Sequence, residues 1–159
     1  MNESEPRINY IEKYLQSGEQ TQITPMILEM VAELQGTVLE KVEQIIAKIS
    51  QLEGHEFDQN IFRKRTGSQI LEDGYYTGCT DSALAFITLA RASGIPAKYI
   101  ETISEEWLKE GGISIAGHIY SQIYDEGTGI WHWVDPMGRK MDTNPETDFR
   151  VVFKEGLDS

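Results

Sequence analysis

The segment Thr77-Gly78-Cys79-Thr80-Asp81-Ser82-Ala83-Leu84-Ala85-Phe86 constrains this chain more than any other. It opens the most apolar helical run, which extends to about Arg91 and is closed by Ser93-Gly94-Ile95-Pro96. Gly94 suits the left-handed position just past a helix end, and Pro96 cannot continue a helix. At the front, Thr77 or Gly78 is placed to cap, and Asp81 sets a negative charge in the first turn. Cys79, the only cysteine of the chain, then falls in that first turn. Helical spacing puts it on one face with Ala83, Phe86 and Ala90. A sulfur there meets unpaired backbone N–H groups and the positive end of the helix dipole, which favour its anionic form. Two uses are open for such a residue: a small buried hydrophobe, or a nucleophile.

At 159 residues the chain has the size of a single globular domain with a core of its own. We expect an N-terminal helical segment over 1–36 and a core over 37–159. A lone cysteine excludes an intrachain disulfide framework and a multi-cysteine zinc site. It suits a reducing, cytoplasmic setting. The first residues, Met1 to Arg7, lack a basic region followed by an apolar core, so no signal peptide is expected. No apolar run approaches the length of a membrane span. Fourteen basic residues against 26 acidic give a net charge of −12. That disfavours nucleic acid and anionic membranes as partners, because phosphate binding needs clustered Lys and Arg. No phosphate-binding glycine loop and no calcium loop pattern is present, so neither a cofactor nor a metal is expected.

In chain order, apolar residues Ile8, Ile11, Tyr14 and Leu15 predict a short amphipathic helix over 7–16. Thr24-Pro25 starts a second, with Thr24 as cap and Pro25 at the first helical position. Gly36 interrupts it, and Thr37-Val38-Leu39-Glu40 is a capping-box pattern that opens a third helix reaching about Leu52. A continuous coiled coil over these helices competes, but the spacing drifts. Residues 54–66 read as irregular, with Arg63-Lys64-Arg65 solvated or paired with nearby acids. Gln69-Ile70-Leu71 reads as a helical turn. After the cysteine helix the period changes. Residues 97–102 read as a strand and 104–110 as a short helix ended by Gly111-Gly112. Residues 117–124 and 130–135 read as strands joined by the turn 125–129. Residues 138–148 are turn-rich, 149–154 form a last strand, and the final five residues are expected to fray. Helices followed by an antiparallel sheet make an α+β arrangement.

A nucleophilic cysteine needs a base within hydrogen-bond reach and a third group to fix that base. His118 lies near the start of one strand and Asp135 at the end of the next. Antiparallel pairing makes those two ends neighbours. The candidate catalytic set is therefore Cys79, His118 and Asp135, with the Cys79 N–H as one oxyanion donor. Each member has a plainer use. His118 can be a strand histidine satisfied by the backbone, and Asp135 before Pro136 can be a turn residue. His55 and His132 are rival bases, although His132 alternates to the opposite strand face from Asp135. A metal site of Cys, His and Asp is disfavoured by the lack of a second cysteine.

Gly78-Cys79-Thr80-Asp81, then Arg91-Ala92-Ser93-Gly94-Ile95-Pro96-Ala97, Gly117-His118 and Trp133-Val134-Asp135-Pro136 together resemble the transglutaminase-like superfamily. The resemblance covers roughly 37–136. It implies a papain-like core and a Cys-His-Asp triad carried by Cys79, His118 and Asp135. Ile119-Tyr120 departs from the Ala-Trp that often follows the family's histidine. Thr77 stands where a glycine is often found. The side chain that completes the family's oxyanion hole has candidates in Gln69, Tyr75 and Tyr76. The family spans cross-linking, proteolysis, amide hydrolysis and silent scaffolds. The expected activity is hydrolysis of an amide bond in a protein or peptide. Acyl transfer and a non-catalytic binding module are the alternatives.

Overall fold

A computed structural model describes residues 9–110 and 117–159. Ile8, in the first expected helix, and the Gly111-Gly112 break lie outside the described residues.

Among the described residues, six α-helices and seven strands follow in the order α1 (Tyr10–Lys13), α2 (Pro25–Ala32), α3 (Val38–Ile49), β1 (Glu53–Gly54), α4 (Gly67–Asp73), β2 (Tyr75–Tyr76), α5 (Cys79–Ala92), β3 (Ala97–Ser104), α6 (Glu105–Glu110), β4 (Gly117–Asp125), β5 (Ile130–Asp135), β6 (Lys140–Met141) and β7 (Arg150–Gly156), with a short 3-10 turn at Pro145–Asp148 before β7. The fold is α+β. The helix starts obey local capping chemistry. Thr24 accepts from the Ile27 N–H with Pro25 at the first position, and Thr37 accepts from the Glu40 N–H. The break at Gly36, where φ is 101°, separates α2 from α3 and replaces the coiled-coil alternative. The expected turn at Gln69 is a full helix, α4, with a reciprocal capping box between Thr66 and Gln69.

Helix α5 is the centre of the molecule. The expected apolar stripe is too narrow a description, because every residue from Thr80 to Arg91 is buried. On one side α5 packs against α2, α3 and α4, and on the other against β3 and β4. Small side chains at Ala83, Ala85 and Ala90 let both layers come close to its axis. Gly94 takes a φ of 82°, and the Ile95 N–H turns back to the Ala90 carbonyl at 2.9 Å, which ends the helix as the sequence requires.

Helix α4 approaches α5 closely at Gly67. A Cβ built there would lie 2.6 Å from the Leu84 carbonyl oxygen and overlap the Thr88 hydroxyl. Backbone cannot yield as a side-chain tip can. Gly67→Ala is therefore expected to lower stability by roughly 1–3 kcal/mol, the range for overpacking. Urea unfolding reads this, and an unchanged midpoint would refute the tight α4–α5 contact.

The main sheet runs β6-β5-β4-β3-β7, antiparallel throughout. Strand β7 crosses to the far edge and pairs with β3. The tail does not fray as expected. Glu155 accepts from the Tyr10 and Tyr14 hydroxyls at 2.6 and 3.0 Å and sits 3.2 Å from Lys98 Nζ. Asp158 accepts from the Gln20 N–H at 2.9 Å. These contacts tie both ends of the chain together over Trp131, whose ring lies 4.2 Å from Lys98 Nζ. Arg91, 3% exposed, adds a second tie. Its guanidinium donates to the carbonyls of Tyr14 (3.0 Å) and Ala97 (2.7 Å) and to the Thr21 hydroxyl (2.8 Å). Among the described residues no helix is long and apolar enough to cross a membrane.

Candidate active site

Gly78 is extended and caps α5 without a side chain. The cap therefore comes from further away. Asp81 turns back, and its Oδ2 accepts from the Thr77 N–H and hydroxyl, both at 3.0 Å. The same oxygen takes Arg65 Nη2 at 2.6 Å. Arg65 also reaches Asp73 Oδ2 at 3.0 Å and the Tyr75 carbonyl at 3.2 Å. Its guanidinium carbon stands 4.2 Å from the Tyr75 ring. Burial pushes the Arg65 guanidinium down, but Asp81 and Asp73 outweigh it and hold it above its usual range. Arg65 is thus a buried strut and not a solvated base. Arg63 pairs with the buried Glu101 at 3.0 Å. The strut fixes the loop that presents Cys79 at the first position of α5.

The structure brings Cys79, His118 and Asp135 together. His118 Nε2 lies 3.0 Å from Asp135 Oδ1, which leaves its other ring nitrogen free of that bond, and His118 and Cys79 line the same cleft. The two strand residues are diagonal neighbours, because the β4–β5 register pairs Ser121 with Val134 and one further step sets Asp135 beside Tyr120. Asp135 Oδ1 takes a second hydrogen bond from the Gly138 N–H at 2.9 Å. A Cβ at 138 would sit 2.5 Å from Asp135 Oδ2, so glycine leaves the carboxylate room. The Tyr120 ring abuts His118 edge-on, with centroids 4.9 Å apart.

Burial lowers the basicity of His118, but hydrogen bonds to Asp135 and Cys79 more than offset it and push the imidazole up to about 9. Asp135 is also opposed by burial, and its partners His118 and Gly138 hold it below the usual carboxylate range. The signs are opposite in their effect on folding. The charge on His118 stabilises the fold fully below its ordinary value of 6.5, and that contribution is lost as pH rises to about 9. The charge on Asp135 stabilises the fold above its ordinary 3.8 and is lost as pH falls.

The rival bases are elsewhere. His132 binds Asp142 at 3.0 Å, and His55 stacks on Tyr75 with centroids 4.2 Å apart. The oxyanion candidates are also displaced. Gln69 caps α4 and Tyr75 lies under Arg65. None of Gln69, Tyr75 and Tyr76 lines the cleft that opens at Cys79. That cleft, about 470 Å³, is lined by Phe57, Phe62, Arg63, Met137 and Ile119, together with Cys79, His118 and the loop and helix-start residues 77, 78, 80, 81 and 117. Sequence reasoning did not find Phe57, Phe62 or Met137. The available signal was two phenylalanines in a polar, irregular stretch with no periodic core position to fill. Among the described residues no group of three acidic, His or Cys side chains is arranged to hold a metal ion.

Solved structures share the fold. One is a candidate cysteine protease from Cytophaga hutchinsonii, with TM-score 0.68, 18% identity, and coverage of 93% of this chain and 47% of that one. A candidate protease from Parabacteroides distasonis has TM-score 0.54 and 16% identity, over 78% of this chain and 25% of that one. LapG from Legionella pneumophila has TM-score 0.51 and 13% identity, over 82% and 70%. The chain thus spans about half of the first of these proteins. No curated protein sequence matches it. The Transglutaminase-like superfamily profile matches residues 26–136, from the start of α2 to the residue after Asp135. Over most of its length, then, this chain belongs to the transglutaminase-like superfamily.

Proposed function

We propose that the chain is a cysteine-dependent amide hydrolase, with Cys79 as nucleophile, His118 as its acid–base partner and Asp135 as the orienting carboxylate. The observation that carries this reading is His118 bonded to Asp135 at 3.0 Å and lining, with Cys79, one open cleft. With the imidazole raised to about 9, its charged form prevails at neutral pH, and the reacting state pairs it with the thiolate. The thiolate attacks the amide carbonyl carbon. The C–N bond breaks as His118 delivers its proton to the departing amine. Water then attacks the thioester, passes its proton to His118, and releases the acid with the thiolate restored. The Cys79 N–H, unpaired at the helix start, faces the developing oxyanion. The protease names carried by proteins of the same fold support water over an amine as the second reactant. A protein or peptide substrate in a reducing, cytoplasmic setting completes the reading. Acyl transfer to an amine would use the same thioester.

Iodoacetamide tests the assembled site. At about pH 6.5, native Cys79 is expected to alkylate about tenfold or more faster than Cys79 in His118→Ala. Equal rates, or a thiol inert until unfolding, would leave a binding module that keeps the fold without the chemistry.

A further inference from the structure

Phe57 and Phe62 are 57% and 40% exposed, yet their rings contact each other edge-on at 5.2 Å. Both line the cleft that holds Cys79. An exposed aromatic pair on a chain of net charge −12 calls for a specific use. Met137, 36% exposed, and the side chain of Ile119 line the same cleft. The pair is held in place. Arg63 has a left-handed φ of 59°, its carbonyl accepts from Gln20 Nε2 at 2.8 Å, and its guanidinium carbon lies 5.2 Å from the Phe62 ring. The Arg63 charge is met by Glu101 at 3.0 Å, a carboxylate whose side chain is 6% exposed. Arg63 is thus already paired and offers little to an acidic group.

We propose that Phe57 and Phe62, with Met137, form a specificity wall that selects a peptide bearing a large apolar side chain, aromatic or long aliphatic, next to the amide presented to Cys79. The amide-cleaving part of this statement rests on the thiol-enzyme reading above. The preference for an apolar side chain is a binding property and is measured apart from it.

The test uses Cys79→Ser protein and blocked Gly/Ser hexapeptides that carry one Phe, one Asp or no such residue. Binding is followed by chemical-shift perturbation. The Phe peptide is expected to bind about tenfold or more tighter than the other two, as burial of one aromatic side chain implies. The preference should fall below about threefold in Phe57→Ser/Phe62→Ser and persist in Phe57→Leu/Phe62→Leu, which keeps the wall apolar. Both positions are exposed, so the unfolding midpoint should not move in either double variant, and it is measured alongside. Equal binding of the peptides, no binding of any, or a preference that survives the serine pair would overturn the proposal. So would a dimer in sedimentation that the serine pair dissolves, because the aromatic pair would then serve self-association. If alkylation shows no activated thiol but the Phe preference holds, the catalytic reading fails and the wall stands as a peptide-binding site.

Discussion

Asp81→Ala is expected to lower the free energy of unfolding by about 3–5 kcal/mol, the cost of leaving one partner of a buried ion pair alone. The two side chains are only 4% and 9% exposed. Three hydrogen bonds converge on Asp81 Oδ2, from Arg65 and from the Thr77 N–H and hydroxyl. Alanine strands the guanidinium with Asp73, which is 43% exposed, and leaves the Thr77 N–H without its acceptor. Because Thr77 and Gly78 lead directly into Cys79, cleft chemistry should be lost along with stability. Urea unfolding with an intact slope measures the effect. The double change Arg65→Met/Asp81→Leu should recover part of it, since no unpaired charge then remains. A shift under about 1 kcal/mol for Asp81→Ala would mean that the strut is solvated in solution.

Asp135→Asn should leave the fold in place and cut amide hydrolysis by about 10²–10⁴-fold, the scale seen when an orienting carboxylate is neutralised. The pH profile makes the test specific. On the proposed thiol-enzyme mechanism the reacting form carries the imidazolium, so kcat/KM should fall as pH rises through about 9. Burial pulls His118 down and Asp135 pulls it up. Asparagine removes the larger of the two upward influences, leaves that of Cys79 and keeps the burial, so the basic limb must move toward lower pH. A variant with reduced rate and an unmoved limb would show that Asp135 acts only through local packing. An unchanged rate would remove it from the site altogether.

The helix starts were legible because capping is local. Thr24-Pro25, Thr37 with Glu40, and the Gly94-Ile95-Pro96 stop act within one or two turns. The three strands that carry His118 and Asp135 and pair beside them were legible from alternation, since a pleated strand repeats every two residues. The position of His132 on the opposite face from Asp135 followed from the same parity, and in the structure it bonds Asp142.

Other features depend on which segments meet. Arg63-Lys64-Arg65 looks uniform in sequence, yet Arg65 is buried against Asp81, Arg63 reaches Glu101, and Lys64 is exposed. The tail looks free until Glu155 meets Tyr10 and Tyr14, more than 140 residues away in sequence. Gly67 is an ordinary glycine until α5 passes over it. Phe57 and Phe62 belong to no periodic pattern, and only the closing of the 55–65 loop over the start of α5 makes them walls of the cleft.

The sequence by itself determined the α+β order, the helix that begins at Cys79, and the residue types able to serve it, because capping and periodicity are short-range and additive along the chain. Only the tertiary structure decided that His118 bonds Asp135 diagonally, that a buried Arg65–Asp81 strut holds the cysteine loop, and that the cleft is aromatic. Each of those depends on pairs distant in sequence, whose meeting is set by strand register and helix packing and by no local signal.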